Sequence, residues 1–472
     1  MEKQLSMEAF RILADATNTK VEHLEEVYSN QKYRIFTIPK RSGGKRTIHA
    51  PKETTKLVQQ SIYKNFLSKI STGPMIADYC YGGVPKRSTL GGIESHVFTT
   101  PNFIIDVDLK DAFHCVDSLS LKNALVDLLY DELCFYKFRY KKFLRSKNHR
   151  EFLKKKHDTV DEEVINGLVD KKVSEITSND SIFEAWESKN RYDLTYLDLR
   201  FKKRRLLFTN KANKALRAQI RKPNGLEEMY ELCNDMAEIL SKVLTYQNKL
   251  VQGSPTSPIA MALVLSHTKM ISSFKSFLRY RTPKSYPDTH QCISVYVDNI
   301  TISTDSYLSK VKLSKELRKV IATIEKTTIW KFNKKKIHIY EVGVEVPLVT
   351  GLRLVRHRKT RAELKEMVDD KIAGARHCLK AWTPWYYFRP TIPKKLQRKI
   401  RSALHHACID AQQDVSLQDS SIQGKAKGYI GYILLVYKTY ANIPSQLKKA
   451  LEKYEKINPD ALIKFYNQAI EK

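Results

Sequence analysis

Paired cysteines are missing from this chain. It has seven, Cys80, Cys115, Cys134, Cys233, Cys292, Cys378 and Cys408, with no C-x-x-C spacing among them. An odd, scattered set argues against a disulfide framework and against a zinc ribbon or knuckle. Glycine and proline are scarce, at 16 each in 472 residues, which excludes collagen-like and low-complexity classes. Long apolar runs are absent too. The longest, around Pro258–Ser266 and Tyr429–Tyr437, are too short to span a bilayer, so no membrane partner is expected. The opening MEKQLSMEAFRIL lacks the apolar core of a signal peptide. A reducing, cytoplasmic location is the expectation. Acidic residues are few: 51 Asp plus Glu stand against 82 Lys plus Arg, a formal charge of +31.

The apolar fraction of 42% is enough for a sizeable core. The length admits about three domains or one elaborated domain. Surplus cations beside 25 Tyr and 18 Phe suit single-stranded nucleic acid. The charge alone also fits a solvated surface or a membrane-facing one.

Residues 1–30 read as two short helices, from the spacing of Ala9, Ile12, Leu13 and Ala16 and of Val21, Leu24 and Val27. Tyr33–Pro39 and Arg46–Ala50 alternate like strands around the turn Arg41-Ser-Gly-Gly-Lys45, a hairpin with a basic tip. A helix with Leu57, Ile62 and Phe66 follows Pro51. Phe103–Asp108 is a short apolar strand carrying acids, and residues 292–303 alternate on both sides of Asp298-Asn299, a hairpin signal. The stretch from about Leu121 to Leu250 reads as polar and mostly helical. Within it, Lys137–Lys156 holds ten Lys or Arg and one Glu, interleaved with Phe138, Tyr140, Phe143 and Phe152, and Arg200–Arg205 forms a second basic cluster. From about Arg356 onward the chain reads helical and basic.

A strand ending in Asp108 beside a hairpin with Asp298 at its tip brings two distant carboxylates together on rigid elements. Such a pair suits chemistry on two Mg²⁺ ions, since this cation takes a few carboxylate oxygens plus phosphates and waters. Either aspartate alone reads better as a turn or cap residue.

The ordered set is more specific. The chain contains Ile38-Pro-Lys40, Gly43-Gly44-Lys-Arg46, Asp108-Leu-Lys-Asp-Ala-Phe113 and Gln252-Gly-Ser-Pro-Thr-Ser-Pro258, then Tyr296-Val-Asp298-Asn299, Phe332-Asn333-Lys-Lys-Lys336 and Val349-Thr-Gly351-Leu352. This succession resembles the motifs of bacterial reverse transcriptases, most like the retron and defence-associated (unknown-group) lineages, over roughly residues 20–360. The resemblance implies an α+β right-hand polymerase: fingers, a palm of antiparallel sheet plus helices, and a helical thumb. Its expected divisions are N-terminal helices at 1–30, fingers at 31–100, a first palm segment at 101–121, a basic helical insertion and connection at 122–240, a second palm segment at 241–355, and a thumb or RNA-binding region at 356–472.

It also implies roles. Asp108 and Asp298 would bind two Mg²⁺, with Mn²⁺ as a substitute, and the Leu109 carbonyl would help. Asp106 lies on the same strand face, and on charge alone either acid serves. The resemblance favours Asp108, because Phe113 then falls at the position that excludes a ribose 2′-hydroxyl; without the motif Phe113 reads as core. Lys40 and Arg46 would clamp a triphosphate, or be an exposed basic turn. Gln252 and Gly253 would contact the nascent base pair and template. Lys336 resembles the lysine that protonates the departing pyrophosphate, or belongs to a solvated basic run with Lys331, Lys334 and Lys335. Gly351 and Leu352 resemble the loop that grips the primer end. Lys425, Lys427 and Tyr429, in Gln423-Gly-Lys-Ala-Lys-Gly428, would touch a duplex backbone in a salt-dependent way.

Departures carry information. Asn299 stands where the family has a second acid, keeping an oxygen but losing a charge; negative-strand RNA virus polymerases carry Asp-Asn at a similar place. Ala262 replaces the usual Asn, and the retron Asn-Ala-x-x-His is Gly92-Ile-Glu-Ser-His96 here, which favours a defence-group relative over a true retron enzyme. Asp108 and Asp298 lie 190 residues apart, so an insertion of about 100 residues is inferred within 122–240. It is expected to bind RNA, to pair copies of the chain, or to be a solvated surface element. No RNase H-like acidic set follows Leu352. The implied activity is an RNA-directed DNA polymerase using dNTPs, with a noncoding RNA and an RNA–DNA duplex as partners, in antiphage defence. Template-independent or protein-primed synthesis, a preference for rNTPs, and an RNA-binding scaffold with a degenerate polymerase fold are the alternatives.

Overall fold

The computed structural model describes residues 5–40, 43–70, 76–97, 101–157, 161–177, 181–190, 218–222, 225–227, 229–279, 292–304, 306, 308–342, 344–358, 386–412, 420–437 and 443–457. Arg200–Arg205 lies outside them. The chain divides into two compact units, each assembled from three stretches: Met1–Lys86, Lys110–Ile271 and Ile324–Lys331 in one, Arg87–Leu109, Ser272–Thr323 and Phe332–Lys472 in the other.

The first unit begins with helices Met7–Thr17 and Val21–Ser29. Ser6 caps the first through its side chain, and Asn18, at φ 55°, ends it in the left-handed region that asparagine tolerates. Strands β1 (Tyr33–Pro39) and β2 (Lys45–Pro51) pair antiparallel, Tyr33 opposite Pro51 and Pro39 opposite Lys45. Helix Glu53–Ile62 runs on through a π-helical turn, Tyr63–Leu67. Helix Ser118–Leu144 starts at Asp117, whose carboxylate accepts from the Ser120 amide, and packs on helix Tyr230–Leu244. Helix Ser257–His267 is apolar on every side and buried over most of its length, as an interior helix must be.

Part of the inferred insertion folds as helices Lys147–Lys156, Glu162–Thr177 and Ser181–Asn190. Ile165, Val169, Val173 and Ile176 recur on one helical face and close a small core with Leu144.

The second unit holds a four-stranded antiparallel sheet in the order β4-β5-β3-β6, where β3 is Phe103–Asp108, β4 Cys292–Tyr296, β5 Asn299–Thr304 and β6 His338–Glu341. Alternation in β3 sends Ile105 and Val107 to one face, both buried, and Ile104, Asp106 and Asp108 to the other. The β4–β5 hairpin turns on Val297-Asp298, with Tyr296 opposite Asn299. The expected tip, Asp298-Asn299, is thus corrected by one residue. The observed register sets Val295 against Ile300 and Ile293 against Ile302, and Val297 takes the positive φ, 57°.

His96, on helix Thr89–Val97, is fully buried under this hairpin. Its ring nitrogens meet Ser294 Oγ at 2.8 Å and Ser303 Oγ at 3.0 Å, one donating and one accepting. Burial pulls its pKa down to about 3, so the ring is neutral.

A second sheet, β7-β8-β9, joins Leu348–Val349, Leu352–Arg358 and Tyr386–Thr391. The last strand departs from the all-helical reading of the C-terminal region: an aromatic-rich segment suits a strand, and Tyr386–Thr391 pairs along Arg353–Arg358. Helices Lys394–Asp410, Ser420–Tyr437 and Ser445–Ile457 pack into one core with Ile104, Val349, Leu352 and Leu354. Gln423 locks the three together, donating to Ala407 O and the Asp410 carboxylate and accepting from the Tyr454 hydroxyl. Among the described residues no helix is long and apolar enough to cross a membrane.

Candidate active site

Asp108 ends β3 directly opposite Asn299, the first residue of β5. One step further, the Leu109 amide donates to Asp298 O at 2.8 Å, and the Asn333 amide donates to Asp108 O at 2.8 Å. Leu109 also bridges Phe332. These backbone bonds put Asp108, Leu109, Asp298 and Asn299 at one end of the sheet. Lys336, in the short turn Lys334–Lys336, donates from Nζ to Asp108 Oδ2 at 3.0 Å. Four of the expected catalytic and metal residues and one backbone carbonyl candidate are therefore brought together within a single unit. Lys336 is exposed, as are Lys334 and Lys335, and from that position it bonds Asp108.

Asp106 shares the Asp108 face. Burial, then the neighbouring Asp108 charge, push its pKa up to about 6, and its buried Oδ1 has no hydrogen-bond partner among the described residues. In the same sheet His338 meets Glu345 Oε2 at 3.1 Å, and Lys310 also pairs with Glu345.

The nucleotide-side candidates Lys40, Arg46, Phe113, Gln252 and Gly253 all lie in the other unit. Lys40 and Arg46 are exposed on either side of the β1–β2 tip, which the Lys40 amide closes on Gly44 O at 2.9 Å. Gln252 O accepts from the His49 amide at 2.7 Å, tying the Gln252–Pro258 loop to β2. Gly253 sits at φ 114°, and a Cβ there would come within 2.6 Å of His49 O. The close approach this glycine permits is to the chain's own hairpin. Ser254 and Thr256 share a hydroxyl contact at 2.8 Å, and Ser254 donates to Gln59 Oε1 at 3.0 Å. Phe113, half-buried, lies in the single helical turn Ala112–Cys115 that follows Asp111 in the left-handed region.

The primer-side candidates divide. Thr350 and Gly351, at φ 45° and 88°, form the two-residue turn between β7 and β8. Gly351 is exposed, whereas the Leu352 side chain is wholly buried in the core. The Leu352 side chain thus anchors this loop in the core, and Gly351 is its exposed part. Lys425 and Lys427 are exposed on either side of the buried Ala426, and Tyr429 is half-buried, one turn beyond Lys425.

Over 98 residues the chain is 36% identical to the retron Mx65 reverse transcriptase of Myxococcus xanthus, a match covering 21% of this chain and 22% of that one. It is 28% identical over 137 residues to the retron Ec86 reverse transcriptase of Escherichia coli, covering 26% and 41%. Its curated relatives are retron reverse transcriptases. The chain spans less than half the length of either. No family model matches it. Among solved structures, the apo telomerase of Candida tropicalis aligns with a TM-score of 0.35 at 12% identity, covering 93% of this chain and 65% of that one.

Two site-supporting residues escaped the sequence reading. Gln59 donates to the Tyr33 hydroxyl at 2.7 Å and to Val243 O at 3.0 Å while accepting from Ser254, so it braces both the hairpin and the Gln252 loop. A lone Gln among the buried positions Thr55, Val58 and Ile62 of its helix was the available signal. Tyr246 packs its ring at a tilt against Tyr33, at 4.5 Å between centroids, and against His49, at 5.7 Å; nothing in its local sequence marks it.

Proposed function

We propose that the chain is an RNA-directed DNA polymerase that adds dNTPs to a primer hydroxyl, copies an associated noncoding RNA, and serves in defence against bacteriophage. One observation carries the reading: Asp108 pairs with Asn299 in register, with Asp298 bonded alongside. Two carboxylates from distant segments thereby share one sheet end, with an ammonium on one of them.

The donor set fits Mg²⁺, with Mn²⁺ as a substitute. Asp108, Asp298, Asn299 and the Leu109 carbonyl offer oxygen alone, and a hard cation that keeps waters and substrate phosphates needs no more than two carboxylates. Asp106 Oδ1, buried on the same face and without a hydrogen-bond partner among the described residues, would add an oxygen. Two bound ions would activate the primer hydroxyl and neutralise charge on the triphosphate.

The chain's own groups do the rest. Lys336 holds a proton at Nζ with one donor on Asp108, leaving donors for the departing pyrophosphate. Asn299 keeps a coordinating oxygen without adding charge. The roles of Lys40 and Arg46 on the triphosphate, Phe113 against a 2′-hydroxyl, Gln252 and Gly253 at the nascent pair, Gly351 at the primer, and Lys425, Lys427 and Tyr429 on a duplex backbone are supported by the resemblance. Antiphage defence and the RNA template rest on the same support, and a cytoplasmic location on the odd, scattered cysteines.

The test is incorporation of labelled dNTPs by the wild type, purified with its co-expressed RNA, and by Asp298→Ala. Divalent-dependent incorporation that Asp298→Ala abolishes is the expected result. No incorporation across dNTPs and divalent ions would leave an RNA-binding scaffold. Equal use of rNTPs would remove the role of Phe113. Label that stays on the polypeptide after nuclease treatment would indicate protein priming.

A further inference from the structure

The proposed reaction makes no use of the aromatic residues at the start of the insertion. Tyr140 and Phe143 close the helix Ser118–Leu144, and His149 and Phe152 lie on the helix Lys147–Lys156. Their rings form one continuous run. Tyr140 and Phe143 have centroids 6.4 Å apart and planes at 18°. Phe143 and His149 follow at 5.2 Å, then His149 and Phe152 at 6.0 Å and 24°. Arg221 lays its guanidinium 4.2 Å over the Tyr140 ring.

Phe143 and Phe152 are 51% and 57% exposed. A single exposed phenylalanine is ordinary; a connected row of rings is a surface patch that calls for a partner. The neighbouring core takes Tyr140 but does not need Phe143, His149 or Phe152, since Leu144, Ile165, Val169, Val173 and Ile176 close it with Tyr140, Leu153 and Leu168. The helix Lys147–Lys156 buries no residue at all.

Cations surround the row. Arg139, Lys142, Arg145, Lys147, Lys155 and Lys156 are exposed. Against them, Glu162 takes Arg150 and Lys154, Glu187 takes Lys141, and Glu151 lies 4.0 Å from Lys147. The surplus is positive.

We infer that this face binds single-stranded RNA, with bases stacking on Phe143 and Phe152 and phosphates against the lysines and arginines. Ring faces take any base, and cations follow the backbone, so the contact is tolerant of sequence. A duplex offers its phosphates but keeps its bases stacked on one another. A second copy of the chain would set this cationic face against a protein of charge +31, which disfavours self-pairing. The choice of RNA over DNA rests on the function proposed above; the stacking and the charge do not.

The test uses the full-length chain carrying Asp298→Ala, in EDTA, so that no synthesis intervenes. Binding of a fluorescently labelled oligouridine is compared with and without the pair Phe143→Ala and Phe152→Ala, and separately Lys155→Glu and Lys156→Glu. The aromatic pair should weaken binding by about tenfold or more, the scale of lost base stacking, with the salt dependence unchanged. The charge pair should weaken binding and flatten the salt dependence. Oligouridine carrying 4-thiouridine should crosslink to the segment 143–152 in the otherwise unaltered protein, whether or not the variants fold.

Affinity within twofold of the parent for the aromatic pair, or no crosslink to that segment, overturns the inference. So does tighter binding of oligothymidine, which would assign the surface to DNA. An aromatic pair that turns an oligomer into a monomer without changing RNA affinity would assign it to self-pairing. None of these readouts needs catalysis, so a failed incorporation assay would be a separate result.

Discussion

The strand end that carries Asp108 and the hairpin tip that carries Lys40 and Arg46 are built on opposite rules. β3 has a partner on each side, and Asp108 is held by register, by two backbone bonds next to it and by Lys336. Among the described residues β1 has a single partner, and every residue of it except Tyr33 is exposed. Its tether is at β2, where the His49 amide meets Gln252 O. Groups that must hold reacting atoms to within a fraction of an ångström belong on a packed sheet. Groups that follow a flexible polyphosphate can stand in solvent on long cationic side chains.

This contrast predicts different kinetic signatures, and the largest effect falls on the sheet. Asp108→Ala and Asp298→Ala should each lower dNTP incorporation by about a thousandfold or more, the scale of losing several kcal/mol of charge stabilisation. Lys40→Ala and Arg46→Ala should act mainly on the KM for dNTP, by roughly tenfold, with a smaller change in kcat. Steady-state kinetics at saturating and limiting dNTP separate the two patterns. The comparison breaks if Lys40→Ala costs as much kcat as Asp108→Ala.

The tether of the hairpin is the next target. In Gly253→Ala the added Cβ would sit 2.6 Å from His49 O and 2.9 Å from Ile48 Cγ2, so backbone must move. A loss of roughly 2–3 kcal/mol is expected in chemical denaturation. Gly43→Ala, at φ 86° with open space around it, should cost only about 1 kcal/mol of backbone strain. Equal losses at the two glycines would mean that the hairpin is not anchored where the His49–Gln252 bond places it.

What the sequence disclosed follows the same division. Phe103–Val107 is a nearly continuous apolar run, so the strand and its terminal Asp108 were legible locally. The hairpin at residues 292–304 was legible as a hairpin but misplaced by one residue, because a β-branched valine is an unlikely occupant of positive φ and Asp298-Asn299 looks the better turn. Strand Tyr386–Thr391 was missed because its pairing with Arg353–Arg358 spans a long stretch of chain. Gln59 and His96 give no local signal of which partners they hold. A polar side chain on a buried face declares its partners only after folding, as His96 does between Ser294 and Ser303. Gly253 shows the converse: its need for close approach was readable, but the approaching atom is His49 O.

His96 makes the sheet sensitive to acid. Its pKa falls from the ordinary 6.5 to about 3 on burial. Above 6.5 neither folded nor unfolded ring is charged, and His96 adds no pH dependence. Below 6.5 the unfolded chain takes up a proton that the folded chain refuses, so stability drains away as pH falls toward 3. Between pH 7.5 and 5 this amounts to roughly 2 kcal/mol. Denaturation curves at the two pH values should show a loss larger by about that much in the wild type than in His96→Gln, which cannot be protonated. Equal losses would mean the ring is reached by solvent, and the sheet end would then be less rigid than the contrast requires.

The smallest effect concerns the turn itself. Val297 is held at φ 57°, where a β-branched residue carries about 1–2 kcal/mol of strain. Glycine would relieve that strain, but would give back about 0.5–1 kcal/mol through the greater freedom of the unfolded chain. Val297→Gly should therefore stabilise the protein by less than about 1 kcal/mol, or leave it unchanged. Its dNTP incorporation should nevertheless fall a few-fold, because a freer turn holds Asp298 O less firmly against the Leu109 amide. Thermal denaturation and incorporation measured on the same preparation decide the matter. A stability loss above about 1 kcal/mol would show that Val297 contributes by packing. Unchanged incorporation would show that the strand pairing, rather than the strained tip, positions Asp298.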